Sequence, residues 1–448
     1  MTTENHGTSP VGRTEGAHTA LQTRPSPQPA IEEVAESTTA RGFWTRSHRA
    51  GTLFAVLGIA AAVGFGALAP SDQDARFRLS ESADGFTIPI PAAAGAIAFG
   101  VLCAVAGVLL FTGVTRRFFG WSVGVALTSL LLSFLCWQVA GETMAVVTVA
   151  QTTLLLSLPL ILGSLSGVLC ERAGVINIAI EGQFLAGACA GALVGTLASN
   201  LWVGLAASAL AGLFIAWLLA IFAIRYLVDQ VVLGVVLNVF ALGLTGFLFS
   251  RLMQPEQQTY NNPGTFKEVS IPLLSDIPFL GPVLFEASMF LYIALALVVI
   301  IQIGLFHTRW GLRVRAVGEH PTAADTVGIR VNRVRYLNVL YGGLVAGIGG
   351  AFFTLGRVGP FQENMTDGKG FIALAALIFG RWSPTGALAA ALLFGFAEQL
   401  QIYLSAIGSE IPSEILAMAP YLATLLAVAG LIGKVRAPAA DGQPYVNR

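Results

Sequence analysis

The sequence predicts an all-α, polytopic helical membrane protein with about 10–12 transmembrane helices and one broken or re-entrant segment. Three observations carry this. Of 448 residues, 55% are hydrophobic and only 11% are charged, under half of the roughly 25% charged residues usual in soluble proteins. Mean hydropathy is +0.73. The apolar residues fall in runs of about 20, the length that crosses a hydrocarbon layer of about 30 Å. Formal net charge is zero, so composition implies no nucleic-acid partner. Cys103, Cys136, Cys170 and Cys189 lie inside apolar runs without metal-ligand spacing, as small core residues do.

Residues 1–40 are rich in Thr, Ser, Pro, Glu and Gly and read as a disordered tail. No apolar signal-peptide core occurs in residues 1–49, and Arg41, Arg46, His48 and Arg49 argue that this tail is cytoplasmic. Spans are expected over residues 50–69, 89–112, 118–140 and 144–170. The loop 70–88 has four acids against two arginines and reads as external, whereas Arg116 and Arg117 mark an internal turn. Further spans follow over 183–199, 201–224 and 231–250. Loop 251–287, with five prolines, two basic and four acidic residues, is external by alternation and suits either an extracellular partner or a plain linker.

A span over 288–306 leads to the longest charged interruption, residues 309–335, RWGLRVRAVGEHPTAADTVGIRVNRVR. It carries six arginines against Glu319 and Asp325. Pro321 suits a first helical position, where its missing N–H would be unpaired anyway. Gly328 suits the left-handed residue that closes a helix. Ala323, Ala324 and Val327 offer a small apolar face. The segment reads as a stub shaped for a groove on a cytoplasmic partner, or as an ordinary positive-inside loop. After a span over 336–356 come only ten apolar residues, 371–380, about half a bilayer of helix. A break at 381–384, spans over 385–404 and 415–432, and Lys434 and Arg436 complete the chain. If the short helix counts as a crossing, the spans total twelve and both termini are cytoplasmic, which positive-inside weighting favours; if 371–404 is one long kinked crossing, they total eleven and Lys434 and Arg436 lie outside. Gly187, Gly191 and Gly195, and Gly343, Gly347 and Ala351, form small-residue stripes of the kind that let membrane helices approach closely.

A second informative stretch is ERAGVINIAIEG, residues 171–182, where polar residues cut an apolar run. Gly174 can break the helix, while Asn177 and Glu181 would share a face if the stretch were helical. Irregular backbone at membrane depth must be buried in protein or line a water-filled cavity; a solvated turn is the plainer reading. Asn238, Glu398, Gln399 and Gln401 are polar groups within apolar spans, suited to a pathway or to interhelical hydrogen bonds. No phosphate-binding G-x-x-x-x-G-K-[ST] occurs, nor any nucleophile–base or metal constellation, so no catalytic or metal-binding residue is expected.

ERAGVINIAIEGQFLAGACAGALVG, GLRVRAVGEHPTAADTVGI and KGFIALAALIFGRWSPTGALAAALLFGFAEQLQ together resemble permease subunits of bacterial ABC importers. The group is the branched-chain amino acid/ribose/nucleoside permeases, and the first motif is similar to its nucleoside branch. The resemblance covers about residues 145–435 as the permease core, leaving 1–49 as tail, 50–144 as extra transmembrane helices and 436–448 as a C-terminal tail. It implies a plasma-membrane permease that imports nucleosides by alternating access and pairs with a second permease subunit. A lipid-anchored extracellular protein would deliver substrate. Cytoplasmic ATPases would hydrolyse the ATP, this chain binding no cofactor, and would dock on Gly318, Glu319, Pro321, Ala323, Ala324, Asp325 and Gly328. The substrate pathway would use Asn177, Glu181, Asn238, Glu398 and Gln399. Alternatives are import of a simple sugar such as ribose by the same machinery, or an autonomous ion-coupled carrier. Bulky residues at Gly318, Ala323 or Ala324 would then abolish uptake by spoiling the ATPase fit.

Overall fold

The structure, a computed structural model, describes residues 45–80, 85–409, 412, 415, 418 and 436–446. The expected tail over 1–40 and, apart from two isolated positions, the expected span over 415–432 lie outside the described residues. Among the described residues, ten helices are long and apolar enough to cross a membrane.

Helices α1 (Arg46–Leu68), α2 (Ala92–Thr112) and α3 (Phe119–Gln138) form an N-terminal group. A small sheet clasps it at one end: β1 (Asp74–Arg78) pairs antiparallel with β2 (Thr87–Pro91) and parallel with β3 (Thr143–Ala145). Strand β3 runs straight into α4 (Val146–Glu171). Phe77, Leu135 and Met144 pack there against Val149 and the later residues Phe396, Leu400 and Tyr403. The group is therefore joined to the core both by backbone pairing and by apolar packing.

The core continues with α5 (Ile180–Ala198), α6 (Leu201–Ala220) and α7 (Gln230–Leu248). Side-chain caps start two of these: Asn200 accepts from the Trp202 and Val203 amides, and Asp229 from those of Val231 and Val232. Such caps satisfy amides that the helix leaves unpaired. A two-stranded ribbon, β4 (Glu268–Ser270) with β5 (Glu286–Ser288), precedes α8 (Met289–His307). Then come α9 (Arg309–Glu319), α10 (Pro321–Thr326), α11 (Val331–Phe353), α12 (Lys369–Phe379) and α13 (Pro384–Ala406). We call the end of the molecule carrying α9 and α10 the arginine-rich end. Helix α4 lies innermost, packed against α8, α11, α12 and α13.

The glycine stripes face their own chain. A Cβ added at Gly187 would lie 2.6 Å from the Gly347 carbonyl oxygen, and one at Gly347 would lie 2.9 Å from the Ala209 Cα. Helices α5, α6 and α11 thus meet backbone to backbone, where apolar lipid gives helices no hydrophobic reason to associate and close packing must serve. Replacing Gly187 by Leu is expected to lower the thermal stability of the detergent-solubilised protein by about 2 kcal/mol or more. An unchanged melting temperature would contradict this packing.

Helix α12 has 11 residues, about 16 Å at 1.5 Å per residue. It is too short to cross a bilayer and ends at the arginine-rich end, where the chain turns at Arg381 and Trp382, both left-handed (φ 57° and 52°), and returns as α13. The indole of Trp382 donates to Glu171 Oε2, and Arg172 Nε donates to the Trp382 carbonyl at 2.8 Å. These bonds fix the re-entrant hairpin to the end of α4.

Candidate functional site

Between α4 and α5 the helix is broken over residues 172–179. Gly174 permits the break with φ 85°, a conformation that costs other residues strain. Asn177 lies in the break and Glu181 in the first turn of α5. The two therefore share no helix face, which corrects the helical-spacing expectation. Asn177 is fully buried. Its amide donates to Ser166 Oγ at 3.2 Å and exchanges bonds with the Gln183 amide, at 3.1 and 3.3 Å. Gln230 Oε1 accepts from the Ile176 amide at 2.7 Å. Asn238 bridges the far side, accepting from the Gly182 amide at 2.8 Å and donating to the Ile178 carbonyl at 2.9 Å. Irregular buried backbone is thus satisfied by side-chain amides from α7, while Gln183 of α5 satisfies the Asn177 side chain, as burial requires.

Glu181 reaches sideways to the tip of α12. Its carboxylate accepts from the Thr366 hydroxyl at 2.5 Å, the Gly368 amide at 2.9 Å and the Gly370 amide at 2.6 Å. It caps a helix N-terminus, where exposed amides and the helix dipole favour an anion. Between those two glycines, Lys369 carries its Nζ to Glu398 Oε2 in an ion pair at 2.6 Å, with the side chains only 19% and 22% exposed. Lys369 is about 16 Å along α12 from the hairpin turn, and Glu398 about 21 Å along α13. The pair therefore lies well away from the hairpin turn, in the second half of the 23-residue α13. Gln399, next in sequence, is buried, and its Oε1 has no hydrogen-bond donor among the described residues.

Of the five expected pathway residues, Glu181 and Glu398 meet at the α12 tip, Gln399 adjoins Glu398, and Asn177 and Asn238 secure the break. Lys369 escaped sequence reasoning, as did Thr366 and Gln183. The signal for Lys369 was a lone cation at the start of a run too short to span.

The second cluster lies at the arginine-rich end. Pro321 occupies the first turn of α10, and Gly328 has φ 83°. The seven expected coupling residues share this knob but point different ways. Gly318 faces inward: a Cβ there would lie 3.0 Å from the Arg172 carbonyl carbon. Ala324 is 3% exposed beneath Tyr445. Ala323 and Val327 face out, Val327 at 75% exposure. A bulky residue at Gly318 or Ala324 would disturb this chain's own packing, so the expected effect on a partner's groove is left to Ala323. The knob and the broken segment touch at Gly318 and residues 172–174. Arg172 and Arg315 both stack on the Phe306 ring, at 5.5 and 5.2 Å.

The chain is 43% identical to the guanosine ABC transporter permease protein NupQ of Bacillus subtilis over 308 residues, 67% of this chain and 96% of that one. It is 37% identical to the nucleoside ABC transporter permease protein NupC of Lactococcus lactis over the same shares. A putative glucose ABC transporter permease protein of Haloferax volcanii, TsgC13, is 35% identical over 54% of this chain and 73% of that protein. No solved structure matches. Residues 149–432 match the family described as branched-chain amino acid transport system, permease component, and the chain belongs to that family.

Proposed function

We propose that this chain is the membrane-spanning permease subunit of an ATP-driven importer of nucleosides. The observation that carries the reading is the similarity to NupQ, which spans nearly the whole of that guanosine permease. Along the broken segment the polar groups Asn177, Gln183, Ser166 and Asn238 bond one another and the backbone, so they hold the break in shape with amides and hydroxyls in place of full charges. The intramembrane charges of the site are already engaged, Glu181 by three donors and Glu398 by Lys369.

The arginine-rich end is cytoplasmic on this reading, since Arg309, Arg313, Arg315, Arg330 and Arg333 gather there. A separate ATPase docks on α9 and α10, a second permease subunit completes the pathway, and an extracellular lipoprotein supplies substrate. Movement of α9 and α10 passes through Gly318 to the backbone of residues 172–174. From there it reaches both the broken segment and, through Arg172, the α12–α13 hairpin. The pathway then opens to alternate sides.

Uptake by the reconstituted complex, challenged with unlabelled guanosine, uridine, ribose, glucose and leucine, tests the substrate class. Nucleosides are expected to compete at least about tenfold better than either sugar, a difference of about 1.4 kcal/mol. A sugar competing best would overturn the nucleoside reading.

A further inference from the structure

We propose that residues 436–446 form the second wall of the groove that receives the ATPase, so that the motor grips a composite of α10 and the C-terminal segment. The proposal rests on the reading that α9 and α10 couple to an ATPase.

The segment is built into the knob. The Ala440 amide donates to the Gly318 carbonyl at 2.8 Å, the Ala439 amide to Glu319 Oε2 at 3.2 Å, and Arg335 Nη1 to the Gln443 carbonyl at 2.9 Å. Tyr445 is buried against Val317, Ala324 and Val331. Ala440 also faces the break, its carbonyl oxygen 3.1 Å from where a Gly174 Cβ would stand. Asp441 lies beside Glu171 and Arg335, and burial pushes its carboxyl up to about 7. A free tail would bury neither an aromatic ring nor a carboxyl.

Docked this way, the segment encloses a cavity of about 890 Å³ against α10, lined by Glu319, His320, Asp325, Thr326, Gln443 and Tyr445, among others. The carboxylates of Glu319 and Asp325 give its floor a negative character that suits a Lys or Arg side chain from the partner. Apolar groups flank it: Val446, 64% exposed, lines one side, and Val327, 75% exposed, follows the lining residue Thr326 at the end of α10. A charged groove flanked by apolar groups is a surface for a protein. One wall is the coupling helix itself, which makes the ATPase its occupant.

The test uses the complete importer with its ATPase. The native cysteines among the described residues are all buried, so Val327→Cys and Val446→Cys introduce separate exposed thiols for crosslinking. Both are expected to crosslink to the ATPase subunit, and Val446→Asp is expected to weaken ATPase binding about tenfold. Crosslinking from Val327→Cys alone, with normal ATPase affinity in Val446→Asp, would overturn the proposal and leave the coupling reading standing. Crosslinking from neither position in an uptake-competent complex would overturn both. Tyr445→Ala, which unseats the segment without touching its outer surface, is expected to abolish the Val446→Cys crosslink and keep that of Val327→Cys.

Discussion

Glu181→Ala is expected to abolish uptake and to destabilise the solubilised protein by about 3 kcal/mol or more. The substitution strips one acceptor group from three donors at once: the Thr366 hydroxyl and the Gly368 and Gly370 amides. Each buried donor left unpaired costs about 1–3 kcal/mol. The site cannot collapse to reclaim them, because a Cβ at Gly370 would already stand 2.6 Å from the Glu181 Cα. The tip of α12 is short of backbone partners by construction, since a helix leaves its first amides unpaired. Glu181→Gln keeps the volume and one carbonyl acceptor and loses the charge that the helix N-terminus favours. It should fall between the wild type and Glu181→Ala in both transport and melting temperature. Wild-type uptake and melting temperature in Glu181→Ala would show that the carboxylate is not what holds the re-entrant helix in place.

Much of this architecture was legible in the sequence because membrane depth leaves few choices. A backbone in hydrocarbon must satisfy itself, so apolar runs of about 20 residues could only be helices. Ten apolar residues before the break at Arg381 fitted a half crossing, with one long kinked span over 371–404 as the alternative. Local chemistry was legible for the same reason: Pro321 and Gly328 have narrow conformational preferences, and they bracket α10. What failed was direction. Ala323 and Ala324 look alike in sequence, yet one faces solvent and the other lies under Tyr445, a residue over a hundred positions away. Asn177 and Glu181 have helical spacing, but Gly174 and the side chains of Gln230 and Asn238 hold the chain open between them. The glycine stripes showed that some close approach was needed, and only the fold revealed that α5, α6 and α11 make it with one another. Lys369 was passed over because its partner lies 29 residues on, across the turn at Arg381 and Trp382, and sequence spacing alone does not say which side chains a hairpin brings together.

The Lys369–Glu398 pair should respond to substitution as a unit. Glu398→Gln leaves the Lys369 ammonium group without its counter-charge, and insertion scales put the penalty for a lone charge at the centre of a span at about 2.5–3.5 kcal/mol. With a fifth of each side chain exposed, the pair is only partly desolvated, so the penalty falls toward the lower end of that range. Uptake by Glu398→Gln or by Lys369→Met is expected to drop by roughly 10- to 100-fold. The double variant Lys369→Met with Glu398→Gln removes both charges, and its stability should return to near the wild-type value. Transport separates the two roles open to the pair. If it only staples α12 to α13, uptake recovers along with stability in the double variant. If it lines the substrate path, stability recovers while the KM for nucleoside stays raised, because the charges that orient the solute are gone. The second outcome is expected. The pair adjoins the Glu181 cap, and Gln399, next to Glu398 in sequence, keeps a buried oxygen without a donor among the described residues, where a staple alone would have no use for partial exposure. Single substitutions that each leave stability and uptake unchanged would remove the pair from any account of this protein.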